Sequence, residues 1–420
     1  MQVFKFGGAS VKDAAAIQNL AQIVKQYADD QLLIVVSAMG KTTNALEKLS
    51  SAYVQQSESL PGIFAEIKGY HNQILAELFD SSDPIFDEIE NTFVEIEWMI
   101  EEDPHDDPDF IYDQIVSIGE LVSSRIVTAY LNKVGIKSRW LDARGYIQTD
   151  NTYRESLVDW EKTGAQIHQD LPEMLKAEIL VTQGFLGGTS ENFTTTLGRE
   201  GSDYSAAIFA SCLNATSVTI WKDVDGVYNG DPKRFQNIVK FDQLSYAEAV
   251  EMAYYGASII HPKTIRPLQN AQIPLYVKPF LKPMENGTVI NTEEFPVKIP
   301  IIIVKPNQVL VSIFSKDHSF ISEYHLSEIY KLLADLLLKV NLMQTSALSF
   351  TFCLDFDASK FEKLLQKLKL SFNCKYNLET ELITVRHYEV ALLKELSAGK
   401  IILLEQLSRN TAQLLIKVQN

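Results

Sequence analysis

The segment GREGSD (198–203) combines an arginine, a serine and an aspartate with two glycines, directly before a helical pattern. The guanidinium of Arg199 presents a planar set of donors that can bind a carboxylate through two hydrogen bonds. Ser202 or Asp203 could cap the helix, whose free N–H groups and dipole favour anions. Asp203 would repel an anion unless a cation such as Lys5 or Mg²⁺ lies between them. The segment therefore predicts a site for a carboxylate and a phosphate together, although capping alone would also explain Ser202 and Asp203.

A lysine and a pair of glycines follow the first apolar segment, in KFGGAS (5–10). Gly7 and Gly8 allow the backbone to approach a ligand closely and to expose N–H donors to phosphate oxygens. Lys5 supplies a compact cation for a phosphoryl group in transfer. The segment matches neither the Walker A loop nor GxGxxG, so an ordinary turn between a strand and a helix is the alternative.

Three further segments carry polar groups of the same kind. VVSAMGKTTN (35–44) offers hydroxyl groups that could line the same cleft or cap a helix. Glu120, in SIGELVSS (117–124), could bind an ammonium group or could be a partly exposed glutamate on a helix. IWKDVDGVYNGDPKR (220–234) could hold a nucleotide base and phosphates, and its DVDG is only a fragment of a calcium-binding loop.

These segments are joined by alternating strand and helix patterns. QVFKF (2–6), LLIVVSAMG (32–40), EILVTQGFLGG (178–188) and SVTIWKDVDGVY (217–228) predict buried strands that run into glycine-rich turns, and residues 60–100 and 111–135 predict helices. Ile17, Leu20, Ile23 and Val24 recur at helical spacing. Such alternation predicts an α/β fold with a mostly parallel sheet sandwiched by helices. Ligands of these sheets bind beyond the carboxyl ends of the strands.

A change of pattern near residue 297 divides the chain. The pattern predicts a first domain over 1–297 and a second region over 298–420 with two small ββαβ-type units. In the second region ISEYHLSEIYKLLADLLLKV (321–340) predicts a helix, with apolar side chains on one side from Ile329, Leu332, Leu333, Leu336 and Leu337.

Composition limits the possible partners. A net charge of −16 argues against general binding to nucleic acid or anionic membranes. Three widely spaced cysteines indicate a reducing compartment and predict neither a zinc site nor a disulfide framework. The N-terminal segment does not resemble a signal peptide, and no apolar run approaches the length of a membrane span. We therefore expect a cytoplasmic protein.

The motifs KFGGAS, VVSAMGKTTN, SIGELVSS, GREGSD and WKDVDGVYNGDPKR, together with VTQGFLGG (181–188) and YYGASIIHPKTI (254–265), stand in the order found in aspartate kinases. The chain thus resembles this branch of the amino-acid kinase family over residues 1 to about 295, and its tail resembles the paired ACT domains of the same enzymes. The resemblance implies transfer of the γ-phosphoryl group of ATP, with Mg²⁺, to the side-chain carboxylate of L-aspartate. The product is 4-phospho-L-aspartate, in the first step of lysine, threonine and methionine biosynthesis.

The resemblance also implies roles for individual residues. Lys5 and Asp203 would be catalytic, with Asp203 orienting Lys5, and no residue is assigned as a direct metal ligand. The substrate aspartate would be bound by Ser37, Thr43, Glu120, Arg199 and Ser202. ATP would be bound by Lys5, Gly7, Gly8, Ser10, Lys222, Asp223, Tyr228 and Lys233. No general base is needed, because a carboxylate nucleophile is already ionised at pH 7.

Three positions depart from the family pattern. Ala9 replaces a threonine, Ser258 replaces a lysine, and Glu200 stands where glycine or asparagine is usual. Ala9 and Ser258 motivate an alternative function, a catalytically weak regulatory protein that senses amino acids through a kinase fold. The intact set of Lys5, Glu120, Arg199 and Asp203 favours the enzyme.

The ACT-like tail implies a possible amino-acid effector and a homodimer or higher homo-oligomer. In lysine-inhibited relatives the corresponding segments resemble a glycine-containing turn and VDLITTSE. Here they are SKDHSF (315–320) and VNLMQTSA (340–347), in which Asn341 and Ala347 replace two acids. Because an effector with a second ammonium group would lose these anions, threonine or no effector is expected rather than lysine.

Overall fold

The computed structural model describes residues 1–28, 30–257, 260–317 and 319–418. It contains two compact units: 1–227, 240–250 and 258–295 belong to the first, and 228–239, 251–257 and 296–420 to the second. Residues 228–239, 251–257 and 296–297 of the range 1–297 thus belong to the second unit, and the domain boundary near residue 297 stays a prediction. Ser258 lies outside the described residues.

The first unit is built on an eight-stranded sheet in the order β3-β4-β2-β1-β7-β9-β10-β8. Neighbouring strands are parallel except β9 and β10, as the sequence predicts. Two more strands, β5 and β6, form a separate antiparallel hairpin. The strands are β1 (Gln2–Phe6), β2 (Leu32–Val36), β3 (Ser138–Leu141), β4 (Ile179–Gln183), β5 (Leu186–Gly188), β6 (Thr194–Thr196), β7 (Ser217–Lys222), β8 (Gln243–Ser245), β9 (Leu275–Pro279) and β10 (Thr288–Asn291).

Helices flank this sheet, and their apolar faces explain their positions. In α1 the four apolar residues that the sequence identifies, from Ile17 to Val24, have no exposed surface. Every residue of β2 is fully buried, which is typical of a parallel strand covered on both faces. The helices are α1 (Ala14–Lys25), α2 (Thr42–Val54), α3 (Leu60–Leu78), α4 (Ile85–Glu101), α5 (Pro108–Val116), α6 (Ile118–Lys133), α7 (Trp160–Ala177), α8 (Gly201–Cys212), α9 (Tyr246–Tyr254) and α10 (Pro262–Asn270).

The structure breaks three elements that the sequence pattern makes continuous. Residues 60–100 form two helices, α3 and α4, and residues 111–135 are divided between α5 and α6, which meet at Ser117. EILVTQGFLGG is divided between β4 and β5 at Gly184 and Phe185, and Phe185 adopts a left-handed conformation with φ of 71°. Apolar periodicity continues through these breaks, so it does not reveal them.

The second unit contains a six-stranded antiparallel sheet in the order β12-β13-β11-β14-β16-β15. Its two longest strands, β11 and β14, pair along their length, and their register shifts between Lys305 and Gln308. The strands are β11 (Ile301–Ser315), β12 (Val340–Thr345), β13 (Ser349–Asp355), β14 (Phe372–Arg386), β15 (Lys400–Leu407) and β16 (Thr411–Val418), and the helices are α11 (Glu323–Asp335), α12 (Ala358–Ser371) and α13 (Val390–Ser397).

Two separate apolar cores lie on either side of that shift. One contains Val311, Ile329 and Phe352, and the other contains Val385 and Leu414. The two cores fit the paired ACT-like units expected from the sequence, now joined through shared strands. The predicted position of Leu337 on the buried side of the helix is wrong, because α11 ends at Asp335 and Leu337 is 83% exposed with φ of 51°.

No helix of the described residues is long and apolar enough to cross a membrane.

Candidate active site

Lys5, Ser37 and Lys222 lie at the carboxyl ends of three adjacent strands, β1, β2 and β7. Asp203 and Glu120 reach these strand ends from α8 and α6. Strand β1 lies in the middle, with β2 on one side and β7 on the other. The chain passes from β1 to β2 and reaches β7 only later, so the order of connection reverses beside β1. Such a switch point leaves a crevice for ligands beyond the strand ends.

An ion pair joins β1 to α8 in this crevice. Lys5 Nζ lies 2.7 Å from Asp203 Oδ1, and Lys222 Nζ lies 3.9 Å from Asp203 Oδ2. Lys5 is 9% exposed and Asp203 is 3% exposed. Burial alone would raise the pKa of Asp203, but the charges of Lys5 and Lys222 outweigh burial and lower it. Asp203 is therefore held in its ionised form. The sequence predicts a cation between Asp203 and a bound anion, and Lys5 is in contact with Asp203 as that prediction requires.

The capping role considered for Ser202 and Asp203 is wrong. Helix α8 begins at Gly201, and Glu200 is its N-cap in a left-handed conformation with φ of 55° and no side-chain capping bond. Ser202 and Asp203 therefore lie inside the first turn of the helix. Close packing fixes this turn, because a Cβ added to Gly184 would lie 2.5 Å from the Cβ of Ser202.

Glu120 is buried in the first turn of α6, and only 2% of its surface is exposed. Its Oε1 accepts a hydrogen bond of 3.2 Å from the amide of Ala38, whereas Oε2 has no hydrogen-bond partner among the described residues. The neighbouring Gly119 allows this approach, since a Cβ there would lie 3.0 Å from the Cβ of Ala38. Interpreting Glu120 as a partly exposed helix residue is therefore wrong.

The protonation of Glu120 follows from this burial. Burial raises the pKa of the Glu120 carboxyl to about 8, although the amides of Ala38 and Glu120 and the charge of Lys5 act in the opposite direction. A carboxyl group with an unpaired oxygen and a raised pKa can accept a cationic group, such as a ligand's ammonium.

The two glycine-bearing turns lie against each other. A Cβ at Gly8 would lie 2.8 Å from the carbonyl oxygen of Gly40 and 2.9 Å from that of Ala38, and the amide of Gly40 donates to the carbonyl of Gly8 at 3.0 Å. Only glycine allows this contact at position 8. Gly7 lies beside Lys5, whose Nζ would be 3.4 Å from an added Cβ. The hydroxyl of Ser10 donates to the carbonyl of Trp221 at 3.4 Å and so ties this turn to β7.

The residues expected to bind the amino acid differ in exposure. Ser37 is half-buried, and its carbonyl accepts a hydrogen bond of 2.7 Å from the hydroxyl of Ser123. Thr43 is half-buried in the first turn of α2, and Ser202 is 9% exposed. Arg199 is exposed, and its guanidinium forms no ion pair within the part of the chain that the structure describes.

The residues expected to bind the nucleotide belong to both units. Asp223 follows β7 and is exposed. Tyr228 and Lys233 belong to the second unit, where Tyr228 is half-buried and Lys233 is exposed. Their contribution to a nucleotide site stays a prediction.

Comparison with known proteins identifies the family. The model of the amino acid kinase family matches residues 1–279. The chain belongs to the amino acid kinase family. Lysine-sensitive aspartokinase 3 of Escherichia coli is 32% identical over 404 residues, which cover 95% of this chain and 89% of that protein. Aspartokinase 1, chloroplastic, of Arabidopsis thaliana is 32% identical over 369 residues, covering 84% of this chain and 63% of that protein.

Solved structures agree with this assignment. E. coli aspartokinase III in complex with aspartate and ADP has a TM-score of 0.86 at 28% identity, and covers 99% of this chain and 96% of its own. The same enzyme in complex with lysine and aspartate has a TM-score of 0.84 at 27% identity, with the same coverage. The resemblance to aspartate kinases, and the fold that it implies, are thereby confirmed.

Sequence reasoning about this amino acid kinase missed Phe185 as a part of the site. Its left-handed backbone directs the chain from β4 into β5, its carbonyl accepts from the amide of Leu197 at 2.9 Å, and its amide donates to the hydroxyl of Ser205 at 2.9 Å. A Cβ at Gly201 would lie 2.7 Å from the Phe185 ring. The available signal was the paired small residues on each side, Gly184 and Gly201, which mark a close approach of two backbones.

Replacing Glu120 with glutamine should make the protein more stable at high pH. The folded-state pKa of Glu120, about 8, lies above its ordinary value of 4.5, so folding takes up a proton between these values. Protonated Glu120 therefore contributes to the free energy of unfolding fully below pH 4.5, and this contribution is lost as the pH rises to 8. We expect Glu120→Gln to raise the free energy of unfolding by about 3 kcal/mol at pH 8.5, and by much less at pH 5.5.

The measurement is denaturant unfolding of both proteins across this pH range, with Glu66→Gln as the control, because Glu66 is exposed. An increment for Glu120→Gln that does not change with pH would contradict the raised pKa.

Proposed function

We propose that this chain is an aspartate kinase that transfers the γ-phosphoryl group of Mg-ATP to the side-chain carboxylate of L-aspartate, giving 4-phospho-L-aspartate and ADP. This reaction begins the biosynthesis of lysine, threonine and methionine. The observation that carries the proposal is the Lys5–Asp203 ion pair beside the unpaired oxygen of Glu120, in a chain 32% identical to lysine-sensitive aspartokinase 3 of E. coli over 95% of its length.

The charges of the site match those of the amino acid. L-Aspartate carries one ammonium group and two carboxylates. Buried Glu120 offers the ammonium group an oxygen that has no hydrogen-bond partner among the described residues, and Arg199 offers the α-carboxylate a planar guanidinium. Binding of the ammonium would favour the ionised form of Glu120 and displace its proton. The hydroxyls of Ser37, Thr43 and Ser202 supply neutral donors around the same ligand.

Lys5 acts on the phosphoryl group. The reaction brings a carboxylate and a polyphosphate together, so alignment and neutralisation of negative charge are the main tasks. Lys5 is an ammonium held at the end of β1 by Asp203, which keeps it oriented and largely desolvated. The side-chain carboxylate of aspartate is the nucleophile and needs no proton removed.

The nucleotide is bound at the same strand ends by backbone and charged groups. Gly7 borders the ammonium group of Lys5, where a phosphate would bind, whereas Gly8 brings this turn against the backbone of Gly40 and Ser10 anchors it to β7. Lys222, at the end of β7, and Asp223, directly after it, are the charged groups proposed for ATP in this unit. The roles of Tyr228 and Lys233, which belong to the second unit, stay predictions from the family resemblance.

Magnesium fits this site as an ion that enters with the nucleotide. The described residues contain no cluster of three or more His, Cys, Asp or Glu side chains that could hold a metal ion. Both oxygens of Asp203 face ammonium groups. Mg²⁺ in phosphoryl-transfer sites is commonly bound through one or two carboxylates together with the phosphates. When bound, it neutralises phosphate charge and orients the γ-phosphoryl group.

Trapping of the acyl phosphate with hydroxylamine tests the proposed function. We expect aspartyl hydroxamate when the purified protein is given Mg-ATP and L-aspartate, and little product when L-glutamate replaces L-aspartate. ADP release, measured in parallel, controls for ATP hydrolysis without transfer. If aspartate binds in calorimetry but no hydroxamate forms, the chain is a sensor rather than a kinase.

Removing the charge of Lys5 should impair both catalysis and stability, and a second substitution should separate the two effects. Lys5→Met leaves buried Asp203 with only Lys222 nearby, so we expect a loss of up to about 3–5 kcal/mol in the free energy of unfolding. The double variant Lys5→Met with Asp203→Asn removes the uncompensated charge and should recover much of that loss. Because the cation acts on the transition state, kcat should stay reduced by about a hundredfold or more in both variants.

The measurements are denaturant unfolding and steady-state kinetics on the wild type, on Lys5→Met, on Asp203→Asn alone and on the double variant. Recovery of kcat along with stability would show that Lys5 is only structural.

Asn341, which stands where lysine-inhibited relatives carry an acid, is hydrogen-bonded to other side chains of this protein. Lys305 Nζ donates to Asn341 Oδ1 at 2.9 Å, and Asn341 Nδ2 donates to Gln308 Oε1 at 2.8 Å and to Asp355 Oδ1 at 3.0 Å. The amide of Asn341 is therefore engaged at both ends, and an ammonium group already lies beside it. We infer that the chain binds threonine or no effector at this ACT-like region, and that it forms a homodimer or higher homo-oligomer.

Lysine should therefore inhibit this chain poorly. At 5 mM lysine we expect less than a twofold decrease in hydroxamate formation at subsaturating aspartate, because Asn341 carries no charge for the effector's second ammonium group and is already hydrogen-bonded at both ends. Lysine-sensitive aspartokinase 3 of E. coli, assayed identically, is the positive control. Half-inhibition of this chain at submillimolar lysine would refute the inference, and a parallel series with threonine tests the remaining candidate.

A further inference from the structure

A buried aspartate outside the proposed catalytic set holds two segments of the first unit together. Asp113 lies in α5 with no exposed surface. Its Oδ1 accepts from the hydroxyl of Thr196 at 2.6 Å and its Oδ2 from the amide of Thr196 at 2.8 Å. The amide of Arg154 donates to both oxygens at 3.1 Å. One carboxylate therefore binds β6 and the loop around Arg154 at the same time.

We call the hydrogen bonds of Asp113 to Thr196 and Arg154 the Asp113 clamp. The next residue of α5 holds the other end of β6. Gln114 Nε2 donates to the carbonyl of Thr194 at 2.8 Å, and the amide of Thr194 donates to Gln114 Oε1 at 3.3 Å. With Asp113 on Thr196, two consecutive side chains of α5 satisfy backbone groups at both ends of a three-residue strand. Strand β6 is thus fixed from its open edge as well as through its partner β5.

Burying a carboxylate for this purpose is costly. Burial raises the pKa of Asp113 to about 6, although the hydrogen bonds from Thr196 and Arg154 and the charge of Arg154 oppose the rise. Packing alone would be satisfied by an apolar residue. A carboxylate provides short, charge-assisted hydrogen bonds of defined direction, which fix backbone atoms more precisely than apolar contact does.

The clamped segments are the ones that support Arg199. The chain reaches Gly198 and Arg199 directly after β6. Gly198 has φ of 77°, and a Cβ there would lie 3.0 Å from Cγ of Glu155 and 3.3 Å from the carbonyl oxygen of Arg154. The loop that Asp113 holds through Arg154 therefore packs against the residue that precedes Arg199.

The other end of the same helix leads to Glu120. Ser117 ends α5 and is the N-cap of α6, and its carbonyl accepts from the amide of Glu120 at 3.2 Å. The groups proposed for the substrate's ammonium and α-carboxylate thus depend on one continuous support, with Asp113 at its centre.

We propose that Asp113 is a positioning residue for the amino-acid substrate, which sets Arg199 relative to Glu120 through its hydrogen bonds to Thr196 and Arg154. The proposal rests on the roles given to Glu120 and Arg199 in the proposed function. It assigns Asp113 no contact with the substrate and no part in the chemical step.

Two valine variants in β6 distinguish loss of the hydrogen bond to Asp113 from a general loss of stability. Thr196→Val removes one hydrogen bond to Asp113. Thr195→Val is the matched control, because Thr195 is equally buried in the same strand and its hydroxyl pairs with Thr149 instead. We expect Thr196→Val to raise the KM for aspartate about tenfold, as loss of a hydrogen bond to a charged group allows. The KM for ATP and kcat should stay within twofold, which indicates lost substrate binding rather than lost catalysis.

Two further variants test the carboxylate and the hydroxyl. Thr196→Ser retains the hydroxyl and should keep the KM for aspartate close to the wild-type value. Asp113→Asn should raise it by more than tenfold, and its Tm is recorded to detect a folding defect. If Asp113→Asn does not fold, the two valine variants and Thr196→Ser still decide the question.

The outcomes separate this inference from the proposed function. Equal KM values for aspartate in Thr196→Val and Thr195→Val, with an active wild type, would overturn the clamp and leave the kinase assignment intact. If Thr196→Val and Asp113→Asn lower kcat or Tm without changing the KM for aspartate, Asp113 has a structural role and does not position the substrate. A wild type that forms no hydroxamate would overturn the kinase assignment itself.

Discussion

The ion pair between Lys5 and Asp203 is the interaction on which the site depends. An ammonium and a carboxylate are each costly to bury alone, so each requires the other in the folded protein. Their 2.7 Å contact fixes the end of β1 to the first turn of α8, across nearly two hundred residues of sequence. This contact forms only when α8 packs in its native position against β1, so folding of the first unit is what positions the Lys5 ammonium group.

The contrast between two buried carboxylates gives the site its selectivity. Asp203 is supplied with cations by the protein itself, whereas one oxygen of Glu120 has no hydrogen-bond partner in the described part of the chain and the pKa of Glu120 is raised to about 8. Folding supplies the cations for the first carboxylate, and under the proposed function the ammonium group of the substrate would pair with the second. A ligand with an ammonium group therefore gains more at Glu120 than a neutral one.

Much of this arrangement was predictable because its causes are local. The wholly apolar β2 and the periodicity of Ile17 and Leu20 in α1 reflect burial that each residue experiences by itself. The adjacent glycines do mark a close approach, but Gly8 approaches the backbone of Gly40 rather than the ligand that the sequence predicts. The reversed strand order beside β1 then explains why motifs far apart in sequence share one crevice.

The failures have a common physical origin, which is that a side chain's partner lies far away in sequence. Asp203 looks like a helix cap until Lys5 is brought to it, and Leu337 looks like core until α11 ends before it. Asp113 is the clearest case. In IYDQIV it interrupts an apolar pattern without any nearby cation or glycine, and its donors, Thr196 and Arg154, lie 83 and 41 residues away. A buried acid in an otherwise apolar helix must find donors somewhere, because an unpaired one would destabilise the fold. Such an acid therefore predicts that a distant backbone segment is held in place, even though the sequence does not say which one.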